Sequence, residues 1–336
     1  MASARHETFR ELGLRFFMRA HTGQVREPLA TPAAWRGPEL AAHDEWVYRL
    51  TDRDIAEIDA AVERVRRRGL DVVDVGRDDF ELPTLAATIA GWVREIESGR
   101  GFVLVKGLPV ERYGEADASV AFWGIGQHVG VPGGQNPADE LLGHVRDTGE
   151  SERNPNVRAY QTTAHIAYHA DLSDVVALLC MRPGRSGGLS RIVSSVAIYN
   201  ELLRLRPELV GLLYDDWCLD RRDEQGAGEL PYVPIAICRH AGGKLTTFYH
   251  SDYLRSAQRH DVVPRFTIEQ RELLDLYEEI AGSPAFYLDM SFDVGDMQFL
   301  SNRVVLHSRT AYDDFTEPER KRHLLRLWLS SRDDAG

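Results

Sequence analysis

QTTAHIAYHADL, residues 161–172, is the stretch on which the fold turns. Its odd positions Gln161, Thr163, His165, Ala167, His169 and Asp171 are mainly polar, whereas Ile166, Tyr168, Ala170 and Leu172 between them are mostly apolar. Alternate residues of an extended chain point to opposite sides, so the pattern predicts a strand over 157–172 with one polar and one apolar face. Two arrangements produce such a strand: a sheet edge whose polar face meets water, or a barrel strand whose polar face lines a ligand cavity. The stretch alone does not separate them.

The pair His169/Asp171 is not informative by spacing. With 12 His and 52 Asp+Glu in 336 residues, His-x-Asp/Glu arises by chance about twice, and it occurs here at His43, His169 and His250. Context separates the three. His43 lies in AAHDEW before a helix, and His250 opens YHSDYLRSAQRHD, which is charged and helix-like downstream. Only around His169 does alternation place both side chains on one strand face, where they can meet a single ion.

Two C-terminal segments carry the argument outward. In MQFLSNRVVLHSRTAY (297–312), His307 ends an apolar strand, with Arg303 and Arg309 on its own face. In RHLLRLWLSS (322–331), Arg322, Leu324, Arg326 and Trp328 share one face, opposite His323, Leu325, Leu327 and Leu329. Two guanidiniums on one side of an otherwise apolar strand call for anionic partners, because an unpaired buried charge is costly. Four residues of strand span about 13 Å, so Arg322 and Arg326 address two anionic groups, or one of them is structural.

The rest of the chain frames these segments. Residues 1–50 read as an irregular arm with one short helix near 8–19. A capping-box-like start at Thr51 and Asp54, followed by Ile55, Ile58, Val62 and Val65, predicts a helix. Further helices are predicted over 85–97 and 116–129, with the apolar strand GFVLV (101–105) between them and a Gly/Pro/Asn-rich loop over 131–139 after them. Beyond it the pattern is predominantly β, with strands at 142–146, 157–172, 175–181, 190–193, 233–239, 245–249, 297–300, 304–309 and 323–330. Helices at 196–206 and 268–280 interrupt it. Asp220 to Pro231 (DRRDEQGAGELP) is the expected mobile surface loop. The order implies an α+β fold with a mainly β core, a sandwich or barrel rather than a doubly wound parallel sheet.

Composition sets the limits. With 40 Lys+Arg against 52 Asp+Glu the net charge is −12, which argues against non-specific nucleic-acid or anionic-membrane binding. RVRRR (64–68) falls within a helical pattern and reads as a solvated face. Three cysteines without CxxC spacing indicate neither a disulfide framework nor a cysteine zinc site. The N-terminal segment lacks a signal-peptide core, and no apolar run approaches the ~20 residues of a membrane span. An unprocessed cytoplasmic protein is the expectation.

In order and approximate spacing, His169-Ala170-Asp171, Gly187-Gly188-Leu189-Ser190, Asn302 through His307, and Arg322-His323-Leu324-Leu325-Arg326 resemble the taurine dioxygenase-like (TauD/TfdA) family of Fe(II)- and 2-oxoglutarate-dependent oxygenases. The resemblance covers roughly residues 100–330. It implies a double-stranded β-helix, a jelly-roll of cupin-like type, with flanking N-terminal and inserted helices. It also implies that His169, Asp171 and His307 hold Fe(II) as a 2-His-1-carboxylate triad, whose open side admits 2-oxoglutarate and O2. Arg322 matches the position that holds the distal carboxylate of 2-oxoglutarate, a task suited to a forked guanidinium. Ser190 matches a threonine that assists it. Arg326 matches a position that binds an anionic group of the prime substrate in some members, and Gln161, Thr163 and His165 fall where the family places substrate contacts.

The implied reaction releases succinate and CO2 and oxidises a C–H bond of a small anionic or amino-acid-like molecule. Hydroxylation is the default, with desaturation, cyclisation or epoxidation as alternatives on the same site; the intact Asp171 argues against halogenation. Two other readings of the residues stand beside this one. A His2Asp site can hold zinc for hydrolysis, and a non-catalytic small-molecule-binding barrel would leave the polar faces hydrated. The domain expectation is a single unit, with 1–100 an arm and helices packed on a 101–336 catalytic core. A homo-oligomer stays open.

Overall fold

The computed structural model describes residues 6–149 and 158–332; Val157, the start of the expected 157–172 strand, and the extreme ends of the arm and core fall outside them. Two sheets dominate. In the larger, the strands run in the order Val47–Arg49, Phe102–Lys106, Met297–Ser301, Val175–Arg182, His323–Ser330 and Val131–Gly133, with Gly143–Val145 also paired to His323–Ser330. The smaller has the order Tyr287–Met290, Ser190–Ser194, Val305–Arg309 and Ile166–His169. Apart from the parallel first pair, every pairing in both sheets is antiparallel. Strands distant in sequence are neighbours throughout, as the jelly-roll expectation requires.

Alternation explains why both sides of the central strands are buried. From His323–Ser330, Leu325, Leu327 and Leu329 join Val175, Ala177, Leu179, Met297 and Phe299 in a core against the N-terminal helices. Trp328, Val176 and Leu300 point the other way and meet Ile192, Leu288, Met290 and Val305 of the smaller sheet. Arg326 occupies this inner side of its strand, as the sequence pattern indicated. The outer side of the smaller sheet is covered by the inserted helices Ser195–Leu205 and Ile268–Gly282 through Val193, Leu202, Leu273, Tyr277 and Leu306.

The helices over Phe9–Phe17 and Asp52–Arg68 start where capping boxes at Thr8 and Thr51 satisfy their first amides. The second stops at Gly69, whose φ of +62° is left-handed. The helix expected over 116–129 starts earlier, spanning Val110–Val129 across a break at Gly114. Asp220–Pro231 links two antiparallel strands, Trp217–Asp220 and Tyr232–Ile235. Buried Asp220 pairs with Arg259 and His260 at its base, so the segment is anchored where it begins. No helix among the described residues is long and apolar enough to cross a membrane.

Candidate active site

His169 closes the strand Ile166–His169, His307 sits in Val305–Arg309, and the two stand opposite each other in the ladder between these strands. Their ring centroids are 4.2 Å apart. Asp171 lies two residues past the strand end. Its backbone N–H donates to Oδ1 of buried Asn302 (3.0 Å), and the Asn302 amide donates to Ser173 Oγ (3.1 Å), so Asn302 pins the turn that carries the carboxylate. One Asp171 oxygen is 3.9 Å from His169 Nε2 and the other 3.6 Å from His307 Nε2. One ligand atom from each of the three residues lies within 4.8 Å of the other two.

The protonation states suit a metal. His169 Nδ1 lies 2.8 Å from the Ala167 carbonyl; a ring N–H must donate there, which leaves Nε2 as the nitrogen facing Asp171. Burial, with His169 alongside, lowers the His307 pKa to about 3, so this ring is neutral. Burial works to raise the Asp171 pKa, but Arg326, His307, His169 and the Trp328 indole together outweigh it and hold the carboxyl below its ordinary value. The indole N–H donates to Asp171 Oδ2 at 3.0 Å. Two imidazoles, that of His307 neutral, and one carboxylate gathered in this way form a donor set that fits a first-row divalent metal with positions left open.

The two arginines are buried, Arg322 just before its strand and Arg326 within it, and among the described residues neither has a carboxylate at ion-pair distance. Arg326 Nε donates to Gln135 Oε1 (2.6 Å), and the Gln135 amide donates back to the Arg326 carbonyl (2.8 Å) and to that of Leu141 (3.1 Å). The Arg326 guanidinium carbon lies 4.6 Å from the Tyr160 ring centre and 5.3 Å from that of Trp328. Arg322 Nη1 is buried without a hydrogen-bond partner, and burial pushes this guanidinium's pKa down. Gly188, at φ +69°, makes room for it, since a Cβ there would come 3.2 Å from Arg322 Nε. Ser190 Oγ is buried and donates to Gln298 Oε1 at 3.1 Å. The Arg322 guanidinium carbon lies 5.0 Å from the Tyr312 ring centre, and a desolvated guanidinium with one N–H group left over has the chemistry to take up an anion.

The structure departs from the sequence expectation before His169. The strand begins only at Ile166; Ala159–Gln161 is a 3-10 turn. Gln161, Thr163 and His165 therefore do not share a strand face with His169. The Gln161 side chain accepts from the Arg158 backbone N–H, the Thr163 carbonyl accepts from the Tyr312 N–H, and His165 is exposed. Buried Arg309 holds the turn by donating to the Thr162 and Ala164 carbonyls. His250, set aside in the sequence, is brought to the site: it bridges His169 in backbone pairing, its ring centroid is 5.1 Å from that of His169, and it stacks on Tyr253 at 3.7 Å. Burial and the neighbouring His169 hold it neutral, well below the ordinary histidine value. Its fold position has no local sequence signal, because the strand before it ends at Thr247 and a helix begins at Ser251.

A family model described as "Taurine catabolism dioxygenase TauD, TfdA family" matches residues 66–328. The chain belongs to the TauD/TfdA family. It is an Fe(II)- and 2-oxoglutarate-dependent oxygenase. FR-33289 synthase of Streptomyces rubellomurinus is 33% identical over 313 residues, covering 91% of each chain. The taurine hydroxylase-like protein SAT17 of Stachybotrys chartarum is 28% identical over 304 residues, 88% of this chain and 77% of that one. Among solved structures, asparagine oxygenase with Fe(II), 3-hydroxyasparagine and succinate superposes with a TM-score of 0.66 at 16% identity, covering 85% of this chain and 93% of that one. The non-heme iron oxygenase OrfP with Fe, succinate and hydroxyarginine gives 0.64 at 13%, covering 85% and 94%. These two likenesses establish the TauD/TfdA fold, a jelly-roll core with flanking helices.

Proposed function

We propose that this TauD/TfdA member hydroxylates a C–H bond of a small anionic or amino-acid-like substrate in a natural-product pathway, using Fe(II) held by His169, Asp171 and His307. The observation that carries the reading is the pairing of a three-residue donor set within 4.8 Å with a buried guanidinium, stacked on Tyr312, whose Nη1 has no hydrogen-bond partner. Arg322 grips the distal carboxylate of 2-oxoglutarate, with Ser190 beside Gln298 as its polar neighbour. When bound, iron and 2-oxoglutarate supply the oxidising power, with succinate and CO2 released.

The chain's own residues do the rest. Trp328 holds the Asp171 carboxylate and Asn302 its backbone N–H, and the Ala167 carbonyl orients the His169 ring. Arg326, with its Nε fixed by Gln135, turns its remaining N–H groups to an anionic group of the substrate, and Tyr160, Tyr253 and His250 wall the site. Gln161, Thr163 and His165 meet substrate from the turn and its mouth rather than from a strand face. The synthase name of the Streptomyces relative supports a biosynthetic step. The arm and core work as one unit, since Val47–Arg49 of the arm pairs with Phe102–Lys106. Three free cysteines fit a cytoplasmic setting.

Anaerobic protein loaded with Fe(II) and 2-oxoglutarate should show a weak visible charge-transfer band, and in air it should form succinate slowly, faster with the right acid or amino acid. A folded, iron-loaded protein without the band would sink the assignment. Product mass then divides the outcomes: gain of an oxygen for hydroxylation or epoxidation, loss of two hydrogens for desaturation or cyclisation.

A further inference from the structure

Arg322 lies between two residues that share one partner. Arg182, at the end of the strand Val175–Arg182, donates from Nε to the Lys321 carbonyl (3.1 Å) and from Nη2 to Nδ1 of His323 (3.3 Å). One guanidinium thus bridges the residues on either side of Arg322. A bulge makes this geometry available: His323 pairs with Arg182 and Leu324 with Cys180, so Met181 is left without a partner in the ladder. On the other flank, the Arg322 backbone N–H donates to Asp314 Oδ1 at 2.8 Å.

The chain of bonds continues. Nε2 of fully buried His323 is 2.8 Å from Nδ1 of half-buried His144, with ring centroids 5.1 Å apart and planes within 18°. The two imidazoles meet nitrogen to nitrogen, nearly in one plane. A guanidinium can only donate, so His323 Nδ1 accepts, its Nε2 carries the hydrogen, and His144 Nδ1 accepts in turn. Glu115, whose Oε2 is 3.9 Å from His323 Nδ1, completes a set of residues that could be taken for metal ligands. The in-plane nitrogen contact leaves no room for an ion between the rings, and Arg182 opposes a cation beside them. The cluster is a hydrogen-bond relay.

We propose that Arg182, His323 and His144 are positioning residues that aim the Arg322 guanidinium at the distal carboxylate of 2-oxoglutarate. The proposal rests on Arg322 being the co-substrate arginine. It predicts that disturbing the relay weakens 2-oxoglutarate without weakening iron, because no member of the relay touches the triad.

The test is the 2-oxoglutarate dissociation constant of the full-length Fe(II) protein, read from the anaerobic charge-transfer band, beside Fe(II) retention and succinate formation at saturating 2-oxoglutarate. Arg182→Lys keeps the charge but cannot bridge both partners, and should raise the constant about tenfold, the scale of one misaligned charge-assisted pair. His323→Phe should do the same. His323→Asn, which restores an acceptor for Arg182, should recover most of the loss. His144→Phe, at a half-exposed ring that tolerates replacement, should raise it about threefold by releasing one hydrogen bond. Fe(II) retention and saturated turnover should stay within about twofold in all of them. If Arg322→Ala raises the constant while Arg182→Lys, His323→Phe and His144→Phe leave it unchanged, the relay has no positioning role. If Arg322→Ala itself leaves it unchanged, the co-substrate assignment fails first and the relay with it. Equal dissociation constants for His323→Asn and His323→Phe would reduce His323 to a packing residue and overturn the proposal.

Discussion

The triad and the arginine socket lie in one interior, yet they are built on opposite terms. At two of the three triad residues the chain supplies the support: Trp328 and Asn302 hold Asp171, and the Ala167 carbonyl orients His169, while His307 Nδ1 is buried without a partner. At the socket the chain withholds it, leaving Arg322 Nη1 buried with no acceptor. A metal needs ligands fixed before it arrives, so their partners are internal. An anionic co-substrate needs a charge that folding has not already neutralised, so its partner must come from outside.

The sharpest way to break this contrast is to remove a triad ligand. His169→Ala or Asp171→Ala should abolish succinate formation, below about a thousandth of the wild-type rate, since a site with two ligands no longer holds the metal in its open arrangement. Full activity in either variant would move the metal centre elsewhere. Arg322→Ala should leave iron bound and raise the 2-oxoglutarate KM about tenfold or more, the loss of a charge-assisted bidentate pair. If Arg326→Ala did this and Arg322→Ala did not, the two arginines would have to exchange roles.

Trp328→Phe tests whether triad support is internal. It deletes one donor to Asp171 and should weaken Fe(II) retention about tenfold in a chelator competition, with little effect on 2-oxoglutarate once iron is saturating. The smallest effect on turnover is expected at Asp174, a buried charge satisfied wholly within the chain. It accepts from Arg303 at 2.9 Å and from the Ser331 N–H at 2.9 Å, and pairs with Arg19 of the arm. Asp174→Asn should cost about 3 kcal/mol of folding stability, measured by urea unfolding. Burial would raise the Asp174 pKa, but its two arginines and the Ser331 amide outweigh it and hold it low. Its stabilisation is therefore full above the unfolded carboxyl value near ~3.9 and is lost as pH falls through the lower folded value. A wild-type advantage over Asp174→Asn that disappeared already at neutral pH would contradict this.

Local pattern carried a good part of the site. Period two placed His169 and Asp171 on one side, and Arg326 opposite the leucines that pack on helices, because side-chain alternation is a property of the extended backbone itself. The same alternation misled at Gln161, Thr163 and His165. Those residues form a 3-10 turn and a bend held by Arg309, about 145 residues away, whose donations no local pattern announces. His250 and Gln135 were missed for the same reason: one is placed by pairing with His169, the other by a bond to Arg326.

The sequence by itself determined the mainly β core, the polar face around His169, the presence of Arg322 and Arg326 on one side of an otherwise apolar strand, and through its ordered motifs the family resemblance. Each of these depends on residue type and short-range period. Only the tertiary structure decided that His307 stands opposite His169, that Arg326 is already held by Gln135 while Arg322 keeps a bare Nη1, and that Arg182 grips both neighbours of Arg322. These are matters of register and a single bulge between strands far apart in the chain, and register is set by the packing of two whole sheets rather than by any one segment.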